Sequence, residues 1–323
     1  LQSGEALTNN TTYWWRVRAK DPLDGDTWSV WSTPISFTID TGVTVSTWFQ
    51  TTDEQFATDD LFDVESNGAD GIQIASTIRE AFVAYAEGTV QVPRYRIWNG
   101  TTWGAEQVGV SVGGTIRFVE AAASEARDEY MIVTQEATGR VRAQVYDGGT
   151  ETVGDLNTIV AAVPGLTTRG FDVAYESTSG DAIAVACSGT EAVYSVWNGS
   201  SWSGSSAITL AVTANCNWIS LASDPASDEI ILVARDAITG ATDYQALVWS
   251  GSAWGNSQTL GSAAEAADEG IAVEYEESGD RAVVVVSNGT TAGFAWNSWN
   301  GTAWTGNSTQ ALQDDFEVGR MNR

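Results

Sequence analysis

Apolar and polar positions alternate along this chain in short runs, and clusters of Gly, Ser, Asp and Asn interrupt them at regular intervals. In "IAVEYEESGDRAVVVVSNGTTAGFAWNSWNGTAWTGNSTQ", residues 271–310, β-rich runs are separated at Glu277-Ser278-Gly279, Asn288-Gly289 and Asn300-Gly301. By strand and turn chemistry this predicts four antiparallel strands joined by hairpins. The same sentence returns as "FDVAYESTSGDAIAVACSGTEAVYSVWNGSSW" from 171 and "ISLASDPASDEIILVARDAITGATDYQALVWSGSAW" from 219. Earlier versions are "IQIASTIREAFVAYAEGTVQVPRYRIWNGTTW" from 72 and "RFVEAAASEARDEYMIVTQEATGRVRAQVYDGG" from 117. Trp98, Tyr146, Trp197, Trp249 and Trp299 mark equivalent turns, separated by 48, 51, 52 and 50 residues.

Units of four strands at this period resemble β-propeller blades. A helical solenoid is excluded because the period within each unit is about two residues, not about 3.6. The expected fold class is all-β: a propeller with five recognisable blades and six or more on closure. Residues 43–50 and "DDFEVGRMNR" at the C-terminus are candidates for a shared sixth blade. The expected organisation is 1–40 as a separate module, 41–67 as a connecting strand and acidic linker, and 68–323 as propeller repeats.

The phrase "WNGTTW" at 98 recurs as "WNGSSW", "WSGSAW" and "WNGTAW". A two-residue turn would pair Trp98 with Thr101 and make Trp98 and Trp103 diagonal neighbours on one face, with Asn and Gly both supplying positive φ. Both rings would then fill the junction with the adjacent blade. The competing reading presents the Trp pair to a ligand. The second repeat keeps Tyr146 but has Glu151 in place of the second ring, which predicts a weaker or differently packed outer edge there.

Residues 13–39, "YWWRVRAKDPLDGDTWSVWSTPISFTI", stand outside the repeat. Tyr13, Arg16, Val17, Arg18 and Ala19, followed by a Gly-containing loop, resemble the last two strands of a fibronectin type III domain. That resemblance implies a spacer or adhesion module of extracellular proteins, with open strand edges where early strands are absent.

The formal net charge is -27, which argues against nucleic acid or anionic membrane as a partner. Lys20 is the only lysine. There is no histidine, which removes Ser-His-Asp and Cys-His catalysis, and two cysteines alone do not complete a zinc site. Cys187 and Cys216 fit either a disulfide or two buried thiols. No apolar run is long enough for a spanning helix, and the first residues do not read as a signal peptide. No cofactor is expected. Calcium is conceivable at Asp21, Asp24 and Asp26 or in "DDLFDVESNGAD", although neither fits regular calcium-loop spacing. Asn-x-Ser/Thr sequons, including Asn10, Asn99, Asn198, Asn288, Asn300 and Asn307, permit glycosylation without implying it.

Propeller ligands bind where the channel opens, beside the loop entering each innermost strand. Aligning the repeats places Arg117, Arg169, Asn217, Glu269 and Arg320 there. Of these, Arg117, Arg169, Asn217 and Arg320 are the candidate ligand-binding residues. They would grip a carboxylate, a sulfate or sugar hydroxyls. The alternative makes the arginines counter-charges for Glu120, Asp172 and Glu274. No carboxylate pair is singled out for glycoside hydrolysis and no Asp-box turn of the sialidase type occurs, so no catalytic residue is assigned. The repeats also resemble those of fucose-binding propeller lectins in length and in the Trp-turn-Trp hairpin. The first expectation for function is a non-enzymatic extracellular or cell-surface structural or adhesive protein, contacting itself or other surface proteins, as in a filament. The alternative is a glycan-binding propeller lectin, and a glycan hydrolase comes third.

Overall fold

A computed structural model of the chain describes residues 11–16, 30, 33–39, 61–67, 80–87, 89–99, 101–124, 126–237, 243–261, 269–276, 281–287 and 293–311. It divides into two units, residues 1–50 and residues 51–323. In the first, β1 (Thr11–Trp15) pairs antiparallel with β2 (Ile35–Ile39), with Tyr13 opposite Phe37.

The second unit holds five four-stranded antiparallel sheets. The first sheet contains β3 (Leu61–Asn67), β4 (Glu80–Ala86), β5 (Arg94–Trp98) and β6 (Gln107–Val108). The second contains β7 (Ile116–Ala123), β8 (Glu129–Glu136), β9 (Val141–Asp147) and β10 (Thr152–Val160). The third contains β11 (Phe171–Tyr175), β12 (Ala182–Ser188), β13 (Glu191–Trp197) and β14 (Ser206–Ile208). The fourth contains β15 (Cys216–Ser223), β16 (Glu229–Asp236), β17 (Tyr244–Ser250) and β18 (Trp254–Gly261). The fifth contains β19 (Ile271–Tyr275), β20 (Ala282–Ser287), β21 (Gly293–Trp299) and β22 (Trp304–Ala311). Strands pair in sequence order within each sheet, and the first strands of successive sheets lie side by side. This is the β-propeller arrangement.

Burial explains the repeat's composition. Every residue of β8 is buried, and so are all but the ends of β12 and β16, because second strands are covered on both faces by neighbouring sheets. The outer strands β10 and β18 are exposed or half-buried at all but one position each. The core therefore runs through the junctions. Phe82 stacks on Tyr130 at 4.6 Å between the first two sheets, while Ile231, Val233 and Tyr244 pack with Ile271, Val273 and Trp299 between the last two.

Several expectations are corrected. Leu61–Asn67, read as acidic linker, forms the first strand of the first sheet, whereas residues 72–79 lie outside the described residues. The propeller therefore begins before residue 68. The Trp-turn-Trp hairpins close in a different register: Trp98 is opposite Trp103, and Trp197, Trp249 and Trp299 are opposite Trp202, Trp254 and Trp304. An asparagine side chain caps three of these turns, and Ser250 stands in its place in the fourth, which closes in the same register. Asn99 Oδ1 accepts the N–H groups of Thr101 and Thr102 at 3.0 and 2.9 Å, and Asn198 and Asn300 do the same in their turns. All four turns are four-residue loops. Positive φ is supplied by glycine alone, at Gly199, Gly251 and Gly301 (83°, 83° and 81°). In the second sheet Val153, not Glu151, stands opposite Tyr146. That outer edge is packed differently, with Val153 where other sheets have a second tryptophan, on a strand of nine residues against three in β14.

Candidate functional site

Two regions concentrate polar and aromatic side chains. The first is the outer rim of the junctions between sheets. Trp197, Trp249 and Trp299 are buried, and each donates its indole N–H to a carboxylate of the preceding sheet. The acceptors are Glu129 at 3.2 Å, Glu176 at 2.5 Å and Glu229 at 2.5 Å. Glu229 also accepts the Tyr275 hydroxyl at 2.8 Å, and Arg127 sits 3.3 Å from Glu129. Burial holds the Glu176 carboxyl above its ordinary range, against the pull of donors from Ser179 and Trp249. These first tryptophans are therefore inter-sheet pegs.

The second tryptophans differ. Trp202, Trp254 and Trp304 are half-buried, with ring centroids 5.6, 5.4 and 5.3 Å from their partners. Trp202 donates to the Asp155 carbonyl and Trp304 to the Asn256 carbonyl, both at 2.6 Å. Asp155 and Asn256 sit two residues beyond Val153 and Trp254, in the bulges of β10 and β18, with left-handed φ of 52° and 45°. This twist turns a strand carbonyl outward towards the next sheet.

At the junction of the third and fourth sheets this arrangement is broken. The equivalent position is Gly204, two residues past Trp202, and its φ is not left-handed. A Cβ on Gly204 would meet no atom within 4 Å. The Trp254 indole nitrogen, buried at its tip, has no hydrogen-bond partner. Tyr194 stands edge-on to Trp254 at 6.1 Å and to Trp249 at 5.5 Å. The rim here holds the rings of Trp254 and Tyr194 and one buried indole N–H without a partner. A hydroxyl could accept that N–H while apolar C–H groups lie against the rings.

The second region is the end of the sheets where each innermost strand begins. Arg169 is buried there, with Nε 3.0 Å from Glu120 and Nη1 3.9 Å from Asp172. Its Nη2 pairs with Glu269, and Nη1 donates to the Phe171 and Ile219 carbonyls at 3.2 Å. One guanidinium thus ties together strands β7, β11 and β15 and the entry to β19. Two of the carboxylates expected as its counter-charges, Glu120 and Asp172, occupy that role, and Glu269 is the third. Arg117 is exposed and donates to the Leu166 carbonyl at 3.4 Å. Asn217 is half-buried beside Gly165. Arg320 lies outside the described residues.

The sequence reading missed a second set of contacts at this end, all from one position of the second strand. Gln135 donates to the Gly165 carbonyl at 3.2 Å, and Cys187 forms a disulfide with Cys216. Arg235, fully buried, donates to the Glu269 carbonyl at 3.2 Å while lying over Trp218 and Tyr244 at 4.6 and 5.6 Å. Each reaches the segment that leads into the next sheet. Aligning second strands, and not only the entry loops, would have found them.

Among the described residues no group of three or more Asp, Glu, Cys or His is placed to hold a metal ion. Asp21, Asp24 and Asp26 lie outside them, and part of the other calcium candidate is strand β3. No helix among the described residues is long and apolar enough to cross a membrane.

No protein-family profile matches the chain. No curated protein matches it either. Among solved structures, the chain is similar to a fungal lectin from Aleuria aurantia described as a six-bladed β-propeller with a novel fucose recognition mode. The identity is 14%, with 82% of this chain and 81% of that chain covered and a TM-score of 0.49. A mutant of that lectin in complex with Fucalpha1-6GlcNAc is similar at 13% identity over the same shares, with a TM-score of 0.45. AofleA from Arthrobotrys oligospora shares 10% identity over 82% of this chain and 93% of its own, with a TM-score of 0.34.

Proposed function

We propose that this chain is a non-enzymatic glycan-binding propeller that works outside the cell. The observation that carries the reading is the junction of the third and fourth sheets. There the buried indole N–H of Trp254 has no protein acceptor, Tyr194 stands edge-on with its ring 6.1 Å away, and a Cβ on Gly204 would meet no atom within 4 Å. Sugars present a C–H face that stacks on aromatic rings and hydroxyls that accept hydrogen bonds, which is the chemistry this rim leaves unsatisfied. Trp202 and Trp304 offer half-exposed rings but use their N–H groups internally. The Cys187–Cys216 disulfide supports an oxidising, extracellular setting. The glycan-binding reading is therefore placed ahead of the purely structural one.

The structural or adhesive reading keeps one observation in its favour, the two-stranded sheet β1–β2. As a fibronectin type III-like piece it would serve as a spacer or a pairing edge. Sizing by light scattering across a hundredfold concentration range separates the two readings. A constant mass supports the lectin reading, and growth into polymers supports assembly.

A glycan array tests binding directly. Wild-type protein should bind a small set of glycans saturably. Trp254→Phe, which keeps a ring and loses the N–H, should weaken that binding about tenfold, the value of one hydrogen bond of about 1.4 kcal/mol. Trp202→Phe should bind like wild type. Unchanged binding by Trp254→Phe would refute the assignment.

A further inference from the structure

The outer hairpins end in tips whose sequence exceeds what their turns require. In the first, third and fifth sheets the tip begins with asparagine and carries a hydroxyl two residues on: Asn99 and Thr101, Asn198 and Ser200, Asn300 and Thr302. Each asparagine Oδ1 accepts the backbone N–H groups two and three residues on, at 2.8–3.1 Å. The other two sheets show that such a turn needs neither member of the pair. Asp147 accepts the N–H groups of Gly149 and Thr150 at 2.8 and 3.3 Å, with a carboxylate and with no side chain at Gly149. Ser250 closes the turn of the fourth sheet with no side-chain amide at all. Asparagine and aspartate oxygens cap turns in the same way, so turn geometry leaves the threefold pairing of asparagine with a hydroxyl unexplained.

The amide nitrogens of these asparagines remain available. Asn99, Asn198 and Asn300 are exposed, and so are Thr101, Ser200 and Thr302. All the hydrogen bonds these asparagine side chains make among the described residues use Oδ1, and none uses Nδ2. In two tips the hydroxyl also donates to that oxygen, Ser200 to Asn198 at 2.9 Å and Thr302 to Asn300 at 3.0 Å. The hydroxyl and the amide therefore already lie in contact. A substituent on Nδ2 would leave Oδ1, and with it the cap, in place.

We propose that Asn99, Asn198 and Asn300 are acceptors of N-linked glycans, set at the outer tips of three alternate sheets. Asparagine followed two residues on by serine or threonine, in an exposed loop, is the pattern that a secretory oligosaccharyl transferase modifies. The donor is a lipid-linked oligosaccharyl diphosphate. A bond forms from Nδ2 to the sugar C1, the bond from C1 to the diphosphate breaks, the lipid diphosphate leaves with that electron pair, and Nδ2 gives up one proton. Modification of these tips rests on the extracellular setting proposed above and on no residue of the Trp254 rim.

Secretion of the full chain from a eukaryotic host cell, followed by intact-mass measurement and peptide mapping, tests it. Each of the three tips should carry a glycan that peptide N-glycosidase removes, leaving aspartate in place of the asparagine. Asn99→Asp, Asn198→Asp and Asn300→Asp should each remove one glycan and leave the urea midpoint unchanged, because the new carboxylate caps the turn as Asp147 does. Thr101→Val, Ser200→Ala and Thr302→Val should remove the same glycans although the asparagines stay. Trp254→Phe should be modified like wild type, so a failure of glycan binding and a failure of modification are read separately. The proposal is overturned if the secreted, folded protein carries no glycan at the three tips, if glycan is confined to other asparagines, or if the hydroxyl variants remain modified.

Discussion

Opening the Cys187–Cys216 disulfide perturbs a single junction and leaves every hairpin intact. The bridge joins the next-to-last residue of β12 to the first residue of β15, with a sequence separation of 29 and with β13 and β14 inside the closed loop. Both half-cystines are fully buried, and Gly170 makes room for them, since a Cβ there would meet Cys187 at 3.3 Å. In the chain-entropy description, a loop of this size removes about 12 cal/mol/K from the unfolded chain, or about 3.6 kcal/mol at 25 °C. Urea unfolding of the oxidised protein, the reduced protein and a Cys187→Ala, Cys216→Ala variant reads that loss. With a slope of about 3 kcal/mol/M, the midpoint should fall by about 1 M urea in both altered forms. Coincident midpoints would refute the reasoning, and so would two titratable thiols in unreduced protein under denaturing conditions.

Three further outcomes follow from the same contacts. Arg169→Met should cost about 3–5 kcal/mol in urea unfolding, because Glu120 and Asp172 would stay buried without their cation. Trp299→Phe leaves the Glu229 carboxylate one donor short and should cost about 1–3 kcal/mol, measured in the same way. Because burial raises the Glu176 carboxyl, its contribution is present below its unfolded range and is lost as pH rises through its folded value. Urea midpoints at about pH 4 and pH 7 should therefore show Glu176→Gln gaining on wild type at the higher pH.

Much of this architecture was legible because hairpins and buried strands leave local marks. Turn residues at the Trp98, Trp197, Trp249 and Trp299 hairpins set the repeat, and the apolar runs of β12 and β16 mark strands covered on both faces. The misplaced first strand has an instructive cause. Acidic residues at 61–67 suggested a linker, yet Glu120, Asp172 and Glu274 show that innermost strands of this chain carry acids as a rule. The hairpin register failed because the turns are four-residue loops, three of them held by an asparagine cap that a backbone turn pattern does not contain.

At the sites, sequence alignment selected Arg117, Arg169 and Asn217 by position, and the structure separates them by burial. Arg169 is enclosed by carboxylates, whereas Arg117 is exposed and Asn217 half-exposed around the loop before β11. The rim site had a faint signature at most: glycine at 204 where β10 and β18 carry Asp155 and Asn256, a position that β22 also fills with glycine, Gly306. Its meaning depends on a carbonyl's direction and on an indole tip two sheets' edges apart, and neither is encoded in local pattern. Arg235 was missed because its partners, Trp218, Tyr244 and the Glu269 carbonyl, come from three different segments.

The most direct test of glycan recognition is a crystal structure of the protein soaked with its best array glycan. The account predicts sugar density between the third and fourth sheets, packed against Trp254 and Tyr194, with a hydroxyl about 2.7–3.2 Å from the Trp254 indole nitrogen. An occupied glycan elsewhere, with that nitrogen still without a partner, would contradict it.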